Sequence, residues 1–375
     1  MTVTTILFIV LSAYAGIYLA GCLLVSIGVR RLRPNPLPDP LPDVSVVICA
    51  RNEEANLPRC LDHLGKLDYP RDRMEIMLVD DESTDRTRAL MDSFAAAHPE
   101  CRVLTTQGEP KILPAKQRPL NMGVRESTGE FVFITDADIA VRPGWIRAHL
   151  SAYTDTIGIV GATTRVDSSS GKWFDRLQCV ELVSKHAVAM GCVGLGYPLT
   201  IMGNNFSFRR VAYDQIGGFL GMRRSVVEDM ALMNAVIRQT RYTLNWVADP
   251  QGVVISTPER DMRTFINQRF RWIFEVVDLS GIGKVMLAVE SLMMLAFFGS
   301  LAFLAVSPVP LALLALAWVF GYALFLSPSP GCEKGDLARI PATLVFQLAE
   351  VFLLGLRKVF GKRAMVWKGR EYKKD

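Results

Sequence analysis

Phe131-Val-Phe-Ile-Thr-Asp-Ala-Asp138 is the stretch of this sequence that decides the fold. Its first five residues are apolar or β-branched, without the polar alternation of a half-exposed strand, which is typical of a strand covered on both faces. Two carboxylates, Asp136 and Asp138, follow directly. We therefore predict a buried strand that ends in a pair of acidic side chains.

The residues on the N-terminal side of this stretch repeat the same pattern, with apolar strands separated by helical segments. The predicted strands are Val44–Cys49, Met74–Val79, Arg102–Thr105 and Phe131–Thr135, and the predicted helices are Glu54–Lys66, Thr84–Ala97 and Ala115–Glu126. Such alternation predicts an α/β fold with a mostly parallel sheet. Functional side chains of these folds lie beyond the carboxyl ends of the strands.

Polar side chains follow three of the predicted strands. They are Arg51 and Glu53 after the first, Asp80 and Asp81 after the second, and Asp136 and Asp138 after the fourth. Carboxylates spaced like the last pair suit a hard divalent cation that also takes phosphate oxygens. On its own the pair has a second interpretation, because Asp residues after strands often form turns.

Half of the 375 residues are apolar, and they are concentrated at the two ends of the chain. Residues 1–29 contain no charged side chain, and Glu290 is the only one in residues 285–326. About 20 apolar residues suffice to cross a bilayer. We therefore expect a transmembrane anchor at residues 1–30 and two transmembrane helices within residues 284–327.

The remaining segments connect these parts. Residues 31–43 are a proline-rich linker, and residues 44–258 have the composition of a soluble domain. Residues 259–283 predict an amphipathic helix in the membrane interface, with Met262, Ile266 and Phe270 on one face and the arginines elsewhere. Residues 340–375 are an apolar membrane-associated segment with a basic tail. Ile340–Leu356 either spans or lies in the interface, and the tail favours the interface.

The formal net charge of +5 comes from basic residues that flank the apolar runs. This placement indicates contact with anionic lipid on the cytoplasmic face of the inner (cell) membrane, with the soluble domain in the cytoplasm. It argues against nucleic-acid binding, which needs a basic surface on the soluble domain. The seven cysteines show no metal-binding spacing and indicate free thiols in a reduced compartment.

Four motifs occur in order along the chain. They are Asp80-Asp81-x-Ser83, Asp136-x-Asp138, Glu228-Asp229 and Gln268-x-x-Arg271-Trp272. In this order and spacing they resemble the family 2 glycosyltransferases, whose catalytic domain has the GT-A fold. The branch with the last motif includes cellulose, chitin and hyaluronan synthases and the ceramide glucosyltransferases. The closing Trp367-Lys-Gly-Arg-Glu-Tyr372 resembles the tail of bacterial lipid- and carotenoid-directed members.

The resemblance implies a role for each matching residue. The donor-binding residues would be Arg51, Glu53, Asp80, Asp81, Lys116, Asn121 and Asp136, and Asp136 and Asp138 would hold Mg²⁺ or Mn²⁺. Asp229, preceded by Glu228, would be the base that deprotonates the acceptor. The residues that would lie over the donor and the acceptor are Gln268, Arg271 and Trp272. Val227 replaces the threonine that usually precedes this acidic pair.

The implied reaction is the transfer of a hexose from a nucleotide-diphosphate sugar, UDP-sugar by default, with inversion. The predicted membrane spans are too few to enclose a channel for a growing polymer. This favours transfer to a membrane-embedded lipid over the activity of a small processive polysaccharide synthase. A non-catalytic scaffold with a degenerate donor fold is the alternative from another class. The acceptor, the nucleotide base and the oligomeric state stay open.

Overall fold

The computed structural model describes residues 3–108, 112–114, 116–222, 225, 227–273, 281–301, 307–360, 365–367 and 370–372. The chain divides into two compact units. The helical unit comprises Met1–Arg31, Ser170–Leu199 and Arg260–Gly361. The sheet unit comprises Leu32–Ser169, Thr200–Glu259 and Lys362–Asp375.

The sheet unit is built on a seven-stranded sheet of order β3-β2-β1-β4-β8-β6-β9. Its strands are β1 (Val44–Ala50), β2 (Met74–Asp80), β3 (Cys101–Thr105), β4 (Phe131–Asp136), β6 (Ile157–Gly161), β8 (Asn205–Arg209) and β9 (Thr243–Trp246). Strands β1 to β4 pair in parallel, whereas β8 runs antiparallel to β4 and β6. The sheet is therefore mostly parallel, as predicted.

Helices and a second, small sheet complete the sheet unit. The helices are α2 (Leu57–Leu64), α3 (Thr87–Ala97), α4 (Gln117–Arg125), α5 (Trp145–Leu150), α7 (Arg210–Gln215), α8 (Gly218–Gly221) and α9 (Glu228–Gln239), with 3₁₀ turns at Arg71–Arg73 and Pro250–Gly252. The small sheet has the order β5-β10-β7, from Ile139–Ala140, Val254–Ser256 and Thr164–Val166. Strands β11 (Met365–Trp367) and β12 (Arg370–Tyr372) form a hairpin.

The buried strands account for the apolar runs of the sequence. Val46, Ile48, Ile76, Leu78 and Phe133 are all inaccessible to solvent, in one core cluster. The predicted strands are confirmed to within one residue at either end. The predicted helices begin later than expected, because Glu54 and Thr84 lie in the polar loops that precede α2 and α3. Ala115, where the third helix was expected to begin, lies outside the described residues.

The helical unit contains seven helices among the described residues. They are α1 (Val3–Arg31), α6 (Trp173–Gly194), α10 (Met262–Ile273), α11 (Gly281–Leu301), α12 (Val309–Leu326), α13 (Lys334–Leu337) and α14 (Ile340–Phe360). Four segments within them are long and apolar enough to cross a membrane: Phe8–Arg31, Gly283–Leu301, Val309–Leu326 and Ile340–Arg357. Residues 274–280, part of the predicted interface helix, and residues 302–306, the end of the second predicted span, lie outside the described residues.

Helix α6 belongs to the helical unit although it lies in the chain between β7 and β8 of the sheet unit. Glycines allow it to pack closely on α1. A Cβ atom on Gly28 would collide with the backbone of Gly191, and one on Gly194 would collide with Gly28. The close approach therefore depends on all three glycines.

Candidate active site

The parallel register of β1, β2 and β4 brings their carboxyl ends to one edge of the sheet. Ala50 at the end of β1 pairs with Asp80, and Cys49 pairs with Asp136. The loops that leave these strands carry the predicted donor-binding residues. The fold therefore groups side chains that lie more than 80 positions apart in the sequence.

Asp81 is held by two arginines at this edge. Arg118 Nη2 donates to Asp81 Oδ1 at 2.6 Å and to Thr106 Oγ1 at 2.8 Å. Arg51 Nη1 donates to the Asp81 carbonyl oxygen at 2.6 Å. Asp81 and Arg118 are both buried. The ion pair fixes one carboxylate oxygen of Asp81 and the orientation of the whole loop.

Two left-handed residues shape the same loops. Asn52 has φ 53° and Glu82 has φ 59°, a region that side chains other than glycine seldom adopt. Local hydrogen bonds hold Asn52: its N–H donates to Ser83 Oγ at 3.1 Å, and its Oδ1 accepts from Thr84 N–H at 2.8 Å. Such strain persists where the surroundings over-determine it, often at binding sites.

The other predicted donor-binding residues lie in or beside these loops. Asp80 is buried, and its Oδ1 accepts from Ser83 N–H at 3.2 Å. Glu53 Oε2 accepts from Asn56 Nδ2 at 2.9 Å. Asn121 lies half-buried in α4.

Lys116 lies at the centre of the charged cluster. Its Nζ donates to Asp136 Oδ1 and, at 3.1 Å, to the Gly203 carbonyl oxygen, and it lies 3.6 Å from Glu228 Oε1. Burial opposes its charge, but Asp136 and Glu228 outweigh burial and raise the pKa of Lys116. Lys116 therefore joins two motifs, Asp136-x-Asp138 and Glu228-Asp229, through one ammonium group.

Asp229 is an acid of this cluster whose pKa is changed by its surroundings. It is buried in the first turn of α9, where its Oδ1 accepts from Met230 N–H at 2.7 Å. Burial, and then the neighbouring charge of Glu228, raise the pKa of Asp229 from 3.8 to about 7. A carboxylate with a pKa near neutrality is suited to accept a proton.

Gly203 lies against this acidic pair. A Cβ atom at Gly203 would lie 3.0 Å from Asp229 Oδ2 and 3.4 Å from Glu228 Oε1. Asn205, two residues further along, is inaccessible, and its Nδ2 donates to the carbonyl oxygens of Thr163 and Gly252. The glycine therefore allows the loop backbone to lie directly against the Asp229 carboxylate.

The residues at the end of β4 fit a divalent cation by the chemistry of their donors. Asp136 and Asp138 offer hard carboxylate oxygens and are both partly exposed. Asp138 Oδ2 accepts from Ser256 Oγ at 3.4 Å. Among the described residues there is no group of three or more His, Cys, Asp or Glu that could hold a metal alone. An ion here would need oxygens from a bound diphosphate as well.

The residues of the last motif lie in α10 of the helical unit. Gln268, Arg271 and Trp272 are half-buried there. Gln268 Oε1 accepts from Arg269 Nη1 at 2.6 Å, and the Arg269 guanidinium lies 4.1 Å from the centroid of the Trp272 ring. The motif is thus ordered by a residue within it.

Two contributors were missed by sequence reasoning. Arg118 follows the recognised Lys116 by two positions, and its buried neighbour Asp81 is the signal that could have found it. Arg269 was expected on the polar side of its helix, but it is 2% exposed because Glu181 of α6 pairs with it.

The strand order, the carboxylates that end β4 and the acidic pair that opens α9 define a glycosyltransferase domain of the GT-A fold. The family model described as glycosyl transferase family 2 matches residues 45–231. Residues 45–231 are therefore a family 2 glycosyltransferase domain.

The sequence is also similar to known proteins over more residues than the family model covers. A β-monoglucosyldiacylglycerol synthase of Synechocystis is 27% identical over 244 residues, which cover 62% of this chain and 47% of that protein. The probable glycosyltransferase YdaM of Bacillus subtilis is 28% identical and covers 62% of this chain and 54% of its own length. The chain thus spans about half the length of these curated relatives.

A solved structure supports the same fold. The mannosyltransferase PcManGT of Pyrobaculum calidifontis, in complex with GDP-Man and Mn²⁺, superposes with a TM-score of 0.56 at 19% identity. The match covers 95% of this chain and 99% of that one. At this level of identity the likeness establishes the fold.

Proposed function

We propose that this chain transfers a hexose from a nucleotide-diphosphate sugar to the hydroxyl of a membrane-embedded lipid, with inversion at the anomeric carbon. The observation that carries the proposal is the cluster of Lys116, Asp136, Glu228 and Asp229, in which one buried acid has its pKa raised to about 7. Sugar transfer needs a base and a charged group near the leaving phosphate, and this cluster supplies both.

The donor would lie along the carboxyl ends of β1, β2 and β4. Arg51, Glu53, Asp80 and Asp81 would hold the nucleoside, with UDP as the default. Arg118 supports this role, because it fixes Oδ1 of Asp81 at the edge of the sheet.

The diphosphate of the donor would bind near Lys116, the positively charged residue of the cluster. Lys116 carries a full charge between two acids, and Asn121 lies five positions further along the chain, in α4. When a diphosphate binds, Lys116 can exchange Asp136 for phosphate oxygens.

Asp136 and Asp138 would hold Mg²⁺ or Mn²⁺. A divalent ion there supplies Lewis-acid stabilisation of the leaving diphosphate. The chain contributes two hard oxygen ligands, a hydroxyl on Asp138 from Ser256, and an ammonium group that neutralises Asp136 until the donor arrives.

Asp229 would take the proton from the acceptor hydroxyl as its oxygen attacks the anomeric carbon, while the bond to the diphosphate breaks. One base without a separate nucleophile implies a single displacement, and hence inversion. A side chain at position 203 would crowd the Asp229 carboxylate, where the acceptor hydroxyl would bind. We assign Arg271 to the departing diphosphate, and Gln268 and Trp272 to the donor and acceptor sugars.

The acceptor class follows from the apolar helices. Four segments of the chain are long and apolar enough to cross a membrane, and one relative is named as a synthase of a glucosylated diacylglycerol. We therefore infer a lipid acceptor, a multi-pass protein of the inner membrane and a cytoplasmic sheet unit with basic segments at the membrane surface.

The test is transfer by the purified full-length chain in lipid vesicles with Mn²⁺ and radiolabelled UDP-glucose, UDP-galactose or GDP-mannose. We expect one lipid product that carries a single hexose from one of these donors. A ladder of longer products would identify a processive synthase instead. The absence of product from every donor would overturn the proposal.

A further inference from the structure

Arg269 occupies a position that the motif Gln268-x-x-Arg271-Trp272 leaves open. Its helix carries two other arginines: Arg263 is exposed and Arg271 is half-buried. Arg269 alone is inaccessible, with 2% of its surface exposed. A buried guanidinium is costly unless its partners are fixed, so its contacts carry information about its role.

Those contacts include two of the three motif side chains. Arg269 Nη1 donates to Gln268 Oε1 at 2.6 Å. Its guanidinium carbon lies 4.1 Å from the centroid of the Trp272 ring and 4.4 Å from that of Phe265. Residues 265, 269 and 272 follow one another on one face of a helix, so the two rings enclose the guanidinium plane.

The opposite side of Arg269 is anchored on other helices of the helical unit. Arg269 Nη2 donates to Glu181 Oε2 of α6 at 2.6 Å, and Nε lies 3.7 Å from Glu350 Oε1 of α14. Lys185 Nζ pairs with both acids. We call these four residues the ion cluster. It contains two acids and two bases.

Glu181 is the deepest member of the ion cluster, with no exposed surface. Burial favours its neutral form, but Arg269 and Lys185 outweigh burial and hold the pKa of Glu181 below its usual value. Glu181 is therefore a fixed anion to which Arg269 is tied.

We propose that Arg269 is a positioning residue for sugar transfer: anchored on Glu181, it holds the Gln268 side chain and the Trp272 ring in the orientation that the reaction uses. The inference rests on the proposed function.

Attachment of α10 alone would not need this arrangement. Phe265 and Ile266 of α10 already pack with Leu177, Phe346 and Leu354 in one buried apolar cluster. A buried ion pair adds little stability over such packing. The contacts of Arg269 with Gln268 and Trp272 fix the orientation of these two side chains, which apolar packing alone would not do.

The test combines a structural and a kinetic measurement on the full-length chain in lipid. The six tryptophans are labelled with 5-fluorotryptophan, and the Trp272→Phe variant identifies the ¹⁹F resonance of Trp272. We compare Arg269→Lys with Arg263→Lys, the same substitution on the exposed arginine of the same helix. We expect Arg269→Lys to shift the Trp272 resonance and Arg263→Lys to leave it unchanged.

The kinetic expectation is a fall in kcat of roughly 10- to 100-fold for Arg269→Lys, since small misplacement of positioning groups has effects of this size. The donor KM and the affinity for the free nucleoside diphosphate should stay unchanged. Because part of the effect of Arg269 passes through Trp272, Arg269→Lys should lower kcat by a smaller factor in the Trp272→Phe variant than in the wild type.

An unmoved Trp272 resonance would overturn the inference, as would additive losses of kcat in the double variant. If Arg269→Lys does not fold, Glu181→Asp keeps the charge and withdraws the anchor, and it should produce the same shift. If the wild-type chain transfers no sugar, the proposed function fails, while the resonance still reports whether Arg269 positions Trp272.

Discussion

Two groups of charged side chains in this chain differ in their balance of acids and bases. The cluster at the strand ends sets one base, Lys116, against Asp136, Glu228 and Asp229, and one of these acids has its pKa raised to about 7. The ion cluster of the helical unit sets two bases against two acids, and the pKa of Glu181 is lowered. With acids in excess, one acid at the strand ends has a pKa suited to proton exchange, whereas Glu181, which is paired with two bases, keeps its charge. Substitutions that change either balance test this contrast.

The largest effect is expected at Asp229. Replacing Asp229 by Asn removes the base and should lower kcat by roughly 10²- to 10⁴-fold, the usual contribution of general-base catalysis. Binding of the nucleoside diphosphate should be unchanged when measured by calorimetry. The matched control is Asp214→Asn, on the exposed side of α7, which should keep full activity. Full activity of Asp229→Asn would exclude Asp229 as the base.

The second prediction concerns the stability of the fold and the residue Glu181. Replacing Glu181 by Gln leaves Arg269 buried without its principal anion, and should lower the free energy of unfolding by about 3–5 kcal/mol. Thermal unfolding in detergent, followed by near-UV circular dichroism, measures it. An unchanged unfolding temperature would show that the ion cluster is not a fixed set of charges.

The third effect concerns the metal. Replacing Asp138 by Asn removes a hard oxygen ligand and should lower kcat/KM by roughly 10²-fold at limiting Mn²⁺, since stabilisation of the leaving group is lost. Chelation should reduce wild-type activity, and added Mn²⁺ should restore it. If Asp138→Asn shows the wild-type dependence on Mn²⁺, Asp138 is not a ligand.

The pH dependence tests the imbalance directly. The base acts as a carboxylate, so kcat/KM should rise with pH through the pKa of Asp229, about 7. Replacing Glu228 by Gln removes a like charge and should move this midpoint lower by about 1 pH unit. A midpoint that stays in place in Glu228→Gln would mean that the titrating group is not coupled to Glu228.

The smallest effect is expected for a pair that belongs to neither cluster. Arg88 and Asp92 form an exposed pair one turn apart on α3, with Nε 2.9 Å from Oδ1. Replacing Asp92 by Asn should lower the free energy of unfolding by less than about 0.5 kcal/mol. A loss as large as that of Glu181→Gln would show that burial does not explain the difference between pairs.

The strand-end site could be predicted in large part because local sequence determines it. Phe131–Thr135 reads as a buried strand, and the rule that parallel strands gather functional groups at their carboxyl ends places Asp80 and Asp136 together. The residues that pair with these acids were harder to predict from the sequence. Arg118 is recognisable only once Asp81 is known to be buried.

The ion cluster could not be predicted for a physical reason. Glu181 and Arg269 are 88 positions apart and lie on two helices whose contact is a property of the tertiary structure. Helical periodicity placed Arg269 away from the apolar face, which is correct for an isolated helix in an interface. Glu181 on α6 makes burial of Arg269 possible, because it provides a buried anion that pairs with the guanidinium.

The central claim is that this chain adds a sugar to a membrane lipid. It is tested most directly by mass spectrometry of membrane lipids from cells that produce the wild-type chain, the Asp229→Asn variant or neither. We predict a lipid species heavier by one hexose in the first cells and its absence from the other two. Identical lipid profiles in all three would contradict the account.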